Sequence, residues 1–145
     1  MEIYTLEISF PYEDFHFEEE PWLRVIEVKE DFKLPQLHKY IQKIVDFDDN
    51  HLYRFYIGRN PHNEYENIPK RTKLNELSPI TGFKLYYLFD FGDHWLFEIK
   101  KSRKKKIVQE NIKFPRVIEK QGENPGFHPG KNQGENQGEN LGEKN

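Results

Sequence analysis

The densest run of apolar and aromatic positions in this chain extends over residues 83–99, FKLYYLFDFGDHWLFEI. Apolar residues alternate with other residues on either side of Gly92-Asp93-His94, so the run predicts two strands joined by a hairpin turn. A three-residue loop creates one continuous apolar face, whereas a two-residue loop would place polar residues on that face. Gly92 is expected to supply the positive φ of the turn. The predicted register pairs Phe91 with Trp95, Phe89 with Phe97, and Tyr87 with Ile99.

Similar patterns predict three more strands and one helix. The strands are expected at residues 2–10, 22–28 and 51–57, where apolar residues alternate with polar ones. Between the second and third of these strands, apolar residues recur at helical spacing, and Pro35 suits a first helical position. We therefore predict one amphipathic helix over residues 35–46. The polar stretch 58–79 is predicted to be a long connection, with one short helical turn at residues 73–77.

The order strand–strand–helix–strand–strand–strand predicts an α+β domain over residues 1–120. We expect a largely antiparallel, twisted sheet of about five strands, with one amphipathic helix packed across it. Ile107-Val108 is expected to extend the last strand or to add a short sixth one, and Val117-Ile118 to dock on the sheet edge. Residues 121–145 repeat a Gln-Gly-Glu-Asn unit with almost no apolar side chains. This segment is predicted to be a disordered tail, because it buries too little surface to offset its ordering entropy.

Composition narrows the classes of protein to which the chain can belong. The 145 residues include no cysteine, which excludes disulfides and cysteine-ligated zinc. No apolar run approaches the roughly 18 residues of a membrane-spanning helix, and the chain does not begin with a basic-then-apolar signal pattern. We therefore expect a soluble intracellular protein, located in the cytoplasm, with no membrane partner.

Five segments in the same order resemble the plasmid pRiA Orf-three-like family, which also occurs among passenger proteins of insertion elements. Trp22-Leu23-Arg24, Leu34–Ile41 (LPQLHKYI) and Phe47–Phe55 (FDDNHLYRF) are similar to its Trp-Arg-Arg strand, its Leu-x-x-Leu-His helix and its aromatic-Asp-Asp-x-His-Leu segment. Tyr87–Ile99 is similar to its Tyr-x-Tyr-Asp-Phe-Gly-Asp-x-Trp signature, and Phe114-Pro115-Arg116 to its Tyr-Pro-Arg turn. Residues 122–130 differ from the cysteine-containing segment of many members. The resemblance implies a fold and an association with mobile elements, and it implies no catalytic chemistry.

Carboxylates and imidazoles concentrate at two predicted turns, one after the helix and one at the hairpin tip. The candidate ligand pocket between them comprises Asp48, Asp49, His51, Asp90, Asp93, His94 and Trp95. Carboxylates and imidazoles form a metal site where such turns meet. The favoured interpretation is that Asp48 and Asn50 shape the turn after the helix, so no metal ligand is predicted. His38 is interpreted as a satisfied boundary residue of the helix rather than as a proton carrier near His51.

A run of positive charge follows the hairpin. Six cations in seven residues are candidates for phosphate contacts, with Tyr86 and Trp95 available for base stacking; they are Lys100, Lys101, Arg103, Lys104, Lys105 and Lys106. The alternative is a solvated strand end that discourages edge-to-edge pairing. The formal net charge of the chain is −3, which favours the second interpretation.

The chain contains no phosphate-binding loop, Gly-x-Ser-x-Gly element or Cys–His pair, so the sequence favours a protein that is not an enzyme. We expect a non-catalytic binding or interaction module associated with mobile elements. No cofactor is predicted, and the expected partner is a protein or a small ligand. Two alternatives stay open: a nucleic-acid accessory protein that uses residues 100–106, and a metal-dependent enzyme that uses the Asp and His residues of the two turns.

Overall fold

The structure is a computed structural model that describes residues 1–11, 21–77, 84–104 and 106–125, with only the backbone of Tyr65 and Glu66. The helix α1 is Leu34–Val45, and the strands are β1 Glu2–Ser9, β2 Leu23–Lys29, β3 Tyr53–Gly58, β4 Glu64–Asn67, β5 Lys84–Phe89, β6 Trp95–Lys101, β7 Lys106–Ile107 and β8 Arg116–Gln121. These strands form one sheet in the order β4-β3-β5-β6-β1-β2-β8, and β7 pairs with β1 on the side of β6. Every pairing among the described strands is antiparallel. The predicted α+β class, with one helix across a largely antiparallel sheet, is confirmed.

Helix α1 begins where its local sequence predicts. Pro35 lies in the first turn, and the side-chain oxygen of Gln36 accepts a hydrogen bond of 2.9 Å from the backbone N–H of Lys33. The helix ends at Val45, and the left-handed φ of 62° at its C-cap, Asp46, turns the chain away. Its buried residues recur at helical spacing and face the sheet: Leu34, Leu37, His38, Ile41, Gln42 and Val45. Two of these six are polar, and they anchor the candidate site described below.

The main hydrophobic core lies between α1 and one face of the sheet. It joins apolar residues of α1 to alternating residues of the central strands, among them Ile8, Val28, Phe55, Tyr87, Phe89 and Phe97. A second buried cluster occupies the other face and comprises Tyr56, Tyr86, Leu88 and Leu96. Both faces of the central strands are therefore buried, which gives the ends of these strands a rigid support.

The register of the central hairpin differs from the predicted register by two residues. Strands β5 and β6 pair Phe89 with Trp95, Tyr87 with Phe97, and Leu85 with Ile99. The turn is therefore residues 90–94 rather than the predicted three-residue loop. A shift of two residues keeps each side chain on the same face, because side chains alternate with a period of two. The apolar face was predicted correctly apart from Phe91, which lies exposed in the turn, and the pairing across the face was wrong.

The expected conformation of Gly92 was also wrong. The positive φ angles of this turn are 62° at Asp90 and 61° at His94, and Gly92 is not among the residues with positive φ. The Asp90 side chain stabilises the turn, since its Oδ1 accepts hydrogen bonds from the N–H groups of Gly92 and Asp93 at 3.1 and 3.2 Å. Aspartate tolerates the left-handed region better than most residues because its short side chain forms such local bonds.

Three short strands extend the sheet beyond the five that were predicted. Strand β4 lies within the stretch predicted to be a connection, and β7 is the short strand expected near Ile107. Strand β8 pairs with β2, so Val117 lies at the sheet edge as expected. The helical turn expected at residues 73–77 is a 3₁₀ turn at Leu74–Glu76.

The segment after β8 is tied to the domain as far as it is described. The Asn124 side chain accepts hydrogen bonds from Trp22 Nε1 and Arg24 Nη2, both at 3.0 Å. Residues 126–145, which make up most of the predicted tail, lie outside the described residues. The division into a domain of residues 1–120 and a disordered tail stays a prediction. Within the described residues, no helix combines the length and the apolar character that crossing a bilayer requires.

Candidate functional site

A buried polar network links α1 to the central hairpin. His38, whose side chain is 4% exposed, stands between Tyr87 and Asp49. Its Nδ1 lies 2.5 Å from the Tyr87 hydroxyl, and its Nε2 lies 2.6 Å from Asp49 Oδ1. The Gln42 amide donates to the Tyr87 oxygen at 2.9 Å, so the Tyr87 hydroxyl donates to His38 Nδ1. The proton of the neutral imidazole is therefore on Nε2, where it is donated to the Asp49 carboxylate.

The order tyrosine–histidine–carboxylate is that of a proton relay, and the Tyr87 end of this order is buried. Tyr87 is fully buried at 0% exposure, so no substrate atom can reach its hydroxyl. Burial raises the pKa of this hydroxyl far above its ordinary value, which keeps it protonated. The Tyr87 hydroxyl is therefore an internal hydrogen-bonding group that links β5 to α1.

The network positions the turn after α1. The Tyr53 ring stacks on the His38 imidazole, with centroids 3.6 Å apart and ring planes 6° from parallel. The Gln42 side chain also accepts a hydrogen bond of 3.1 Å from the backbone N–H of Asp49. Asp49 has a φ of 56°, a conformation that these contacts hold in place. The turn is therefore fixed by the core rather than by its own sequence.

The pKa of His38 is lowered, and this makes the stability of the fold depend on pH. Burial lowers this pKa, and the Asp49 carboxylate offsets part of the effect. In the unfolded chain the imidazole protonates below about pH 6.5. Below this pH the unfolded state binds more protons than the folded state. The stability that neutral His38 contributes above about pH 6.5 is therefore lost as the pH falls from there towards the lowered pKa of the folded state.

We accordingly expect the free energy of unfolding to decrease as the pH is lowered from about 7.5 to 5.5, with a contribution from His38 of at most about 1.4 kcal/mol per pH unit. Urea denaturation at several pH values measures this dependence. The variant His38→Asn should have a flatter profile, whereas His94→Asn, at an exposed position, should retain the wild-type slope. Equal slopes for wild type and His38→Asn would refute the assignment.

The two turns of the predicted site meet through Asp90. Its backbone N–H donates a hydrogen bond of 2.9 Å to the carbonyl oxygen of Leu52. Its Oδ2 lies 3.5 Å from His51 Nε2, and its side chain is 11% exposed whereas that of His51 is 42% exposed. The geometry thus brings His51 and Asp90 together and fastens residues 90–94 to the start of β3.

The other predicted site residues are distributed around this contact. Asp48, Asp93 and His94 are exposed, and Asp49 reaches back to His38. Trp95 is half-buried and packs on Phe47, with ring centroids 5.1 Å apart. Among the described residues, no three His, Asp or Glu side chains are arranged to hold a metal ion. The metal-dependent alternative therefore has no ligand set in this part of the chain.

Two large apolar side chains are exposed where the turns meet. Leu52 is 68% exposed and Phe91 is 48% exposed. They flank the hydrogen bond between Leu52 and Asp90, one on each turn. We call the exposed surface formed by residues 48–52 and 90–94 the tip surface. It carries apolar groups among carboxylates and imidazoles, on turns that the buried network supports.

Three cations of the predicted basic run already have partners. Lys100 lies 3.6 Å from Glu98, the Lys101 ammonium lies 4.5 Å from the centre of the Tyr4 ring, and Lys106 pairs with buried Glu27. Arg103 and Lys104 are exposed, and Lys105 lies outside the described residues. Burial tends to raise the pKa of Glu27, but hydrogen bonds from Lys106 and Arg116 keep it below its ordinary value. Much of this charge therefore stabilises the sheet.

Sequence reasoning did not identify the network of His38, Gln42 and Tyr87. A signal was present, because His38 and Gln42 lie four residues apart on the apolar stripe of the helix. Polar residues on such a stripe are buried and need hydrogen-bond partners. His38 is satisfied by hydrogen bonds, as predicted, but at 3% exposure it lies in the core and not at the boundary of the helix.

The helix, the sheet and the braced turns define a small α+β domain. The chain belongs to the family of plasmid pRiA4b ORF-3-like proteins, whose profile matches residues 3–134. It is similar to the crystal structure of MM3350, a protein of unknown function from Methanosarcina mazei Go1, with 22% identity, 86% of this chain and 71% of that chain covered, and a TM-score of 0.68. This likeness shows the fold. No curated protein matches the chain significantly.

Proposed function

We propose that this protein is a non-catalytic binding module that contacts another protein through the tip surface. The observation that supports the proposal is the exposure of Leu52 and Phe91, at 68% and 48%, on two turns joined by a backbone hydrogen bond. Single exposed apolar residues are common on protein surfaces, but two on turns joined by a hydrogen bond favour a binding surface. The family to which the chain belongs supports a partner encoded on the same mobile elements.

The rigidity of the tip surface favours binding. Asp49 and Asp90 both have positive φ, and hydrogen bonds from buried groups or neighbouring backbone hold each of them in place. A surface that is already ordered loses less entropy when it binds, so more of the contact energy appears as affinity. The exposed polar side chains of Asp48, Asp93 and His94 lie on the same two turns as the apolar pair, as polar rims accompany the apolar centre of protein interfaces.

A matched pair of double variants tests the proposal. Leu52→Ser with Phe91→Ser removes the apolar centre of the tip surface, and Ile107→Ser with Ile118→Ser removes two exposed apolar side chains elsewhere, on β7 and β8. Each variant would be immobilised and used to capture proteins from a lysate of the source cells. Each captured protein would then be purified, and its affinity measured by calorimetry.

We expect the tip variant to weaken binding of the partner by at least about tenfold, because burial of one such side chain contributes about 1.5–3 kcal/mol. The control variant should bind within about twofold of the wild type. Both variants should melt at the wild-type temperature, since all four side chains are exposed. The proposal is rejected if the partner binds the tip variant with unchanged affinity, or if the control loses as much.

A further inference from the structure

A cavity of about 410 Å³ lies at the N-terminal end of α1, at the opposite end of the helix from the tip surface. The helix has 12 residues, so the two places are separated by about 18 Å along its axis. The cavity lies within the size range, about 300–1,000 Å³, of pockets that hold small ligands. Its lining includes three lysines, one carboxylate and two phenylalanines: Lys29, Lys33, Lys73, Asp31, Phe32 and Phe114.

Two of the lysines are held directly opposite each other. Lys33 and Lys73 form an antiparallel β-bridge. The backbone hydrogen bonds on either side join Leu34 N–H to Thr72 and Leu74 N–H to Phe32, at 3.0 and 2.9 Å. Directly opposed positions of a bridge place their Cβ atoms about 4.5–5.5 Å apart, where like charges repel. The backbone therefore places the two lysine side chains side by side at the edge of the cavity.

The lysines of this cavity outnumber the single carboxylate of its lining, Asp31. No ion pair among the described residues includes Lys29, Lys33 or Lys73. Three ammonium groups and the Asp31 carboxylate give the lining a formal charge of 3 − 1 = +2. The first turn of α1 contains no acidic residue, so the positive end of the helix dipole adds to this potential. This net positive charge favours an anion as the occupant of the cavity.

The aromatic side chains of the cavity narrow the class of anion that it can bind. Phe32 and Phe114 are half-buried and present apolar surface to the same cavity. An inorganic anion would gain nothing from this surface, whereas a planar base stacks on it. Asp31 can accept hydrogen bonds from the hydroxyl groups of a sugar. We propose that this cavity binds a nucleoside phosphate, with its phosphates at Lys33 and Lys73 and its base against Phe32 and Phe114.

Isothermal titration calorimetry of the full chain tests the proposal with ADP, adenosine, pyrophosphate and a short single-stranded oligonucleotide. ADP is expected to bind with 1:1 stoichiometry at low salt and more weakly at about 150 mM salt. The variant Lys33→Gln with Lys73→Gln should weaken this binding by at least about tenfold. The control Lys39→Gln with Lys120→Gln changes the net charge equally at exposed positions away from the cavity lining, and it should bind within about twofold of the wild type.

Thermal melting of the ligand-free protein provides a second readout. The Lys33→Gln and Lys73→Gln variant should melt at the wild-type temperature, because both side chains are exposed and neither forms an ion pair with a described residue. A lower melting temperature would show that these lysines stabilise the fold and would overturn the proposal.

Four binding results would also overturn it. The first is no heat from ADP at low salt, and the second is equal weakening in the control variant. The third is pyrophosphate or adenosine binding as tightly as ADP, because then either the base or the phosphates contribute nothing. The fourth is an oligonucleotide that binds more tightly than ADP and is as sensitive to the two lysines, since the ligand would then be a polymer.

Discussion

Replacement of Phe89 by Ala is expected to lower the free energy of unfolding by about 3–5 kcal/mol, whereas Phe91→Ala should change it by no more than about 0.5 kcal/mol. Phe89 is fully buried in the main core, and its ring lies 5.8 Å from that of Phe47. Phe91, two residues further along, is 48% exposed in the hairpin turn. The two substitutions remove the same chemical group, so the difference between them reports burial alone.

Denaturation in urea, with the free energy extrapolated to water, measures both effects. The pair also discriminates between the two registers of the hairpin. A three-residue loop would place Phe91 opposite Trp95 on the apolar face, and both phenylalanines would then be core residues. Comparable losses from the two substitutions would therefore contradict the five-residue turn.

The register illustrates what the hydrophobic pattern can and cannot determine. Alternation reports the face of each side chain, and both registers place Phe89, Trp95 and Phe97 on the same face. The choice between them depends on the hydrogen bonds of Asp90, which ties its backbone to Leu52 and its carboxylate to the turn. Leu52 is 38 residues earlier in the chain, and no local pattern includes that contact.

The helices and strands with a clear hydrophobic periodicity were predicted well, and those with a weak hydrophobic pattern were not. Helix α1 was predicted within one residue at each end, because its apolar stripe and Pro35 are both local signals. Strand β4 has the sequence Glu-Tyr-Glu-Asn and was missed. It is an edge strand that pairs with β3 through its backbone, which requires little apolar alternation.

The candidate site was predictable in composition but not in organisation. Asp48, Asp49 and His51 were singled out as a turn, and the hairpin tip was singled out separately. The contact of His51 with Asp90, and that of His38 with Asp49, arise when α1 packs on the sheet. The cavity beside Lys33 and Lys73 was not foreseen, because it depends on a bridge between residues 40 positions apart.

Replacement of Tyr87 by Phe is expected to lower the free energy of unfolding by about 1–3 kcal/mol, although it removes a single oxygen atom. The ring stays packed between Phe55 and Phe97, at 4.9 and 5.5 Å, so the variant creates almost no cavity. The loss arises because His38 Nδ1 and the Gln42 amide are both buried and both lose this partner. An unsatisfied buried polar group costs more than the hydrogen bond itself contributed.

Tyr40→Phe provides the matched control, because Tyr40 is half-buried and its hydroxyl has no hydrogen bond with a described residue. The control should change the free energy of unfolding by no more than about 0.5 kcal/mol. Hydrogen exchange at the Asp49 amide gives a local readout, since Gln42 holds both this amide and the Tyr87 hydroxyl. Exchange should be faster in Tyr87→Phe and unchanged in Tyr40→Phe.

If Tyr87→Phe is as stable as the wild type, the buried network does not hold α1 to the hairpin. If its stability falls but exchange at Asp49 is unchanged, the network stabilises the core without bracing the turn after α1. Lower stability together with faster exchange would show that the network supports both the core and the turn after α1. The hydroxyl that satisfies the buried polar groups then also orders the tip surface. Although Tyr87 is buried and does not contact the partner, Tyr87→Phe should weaken binding, because the turn must be ordered again when the partner binds.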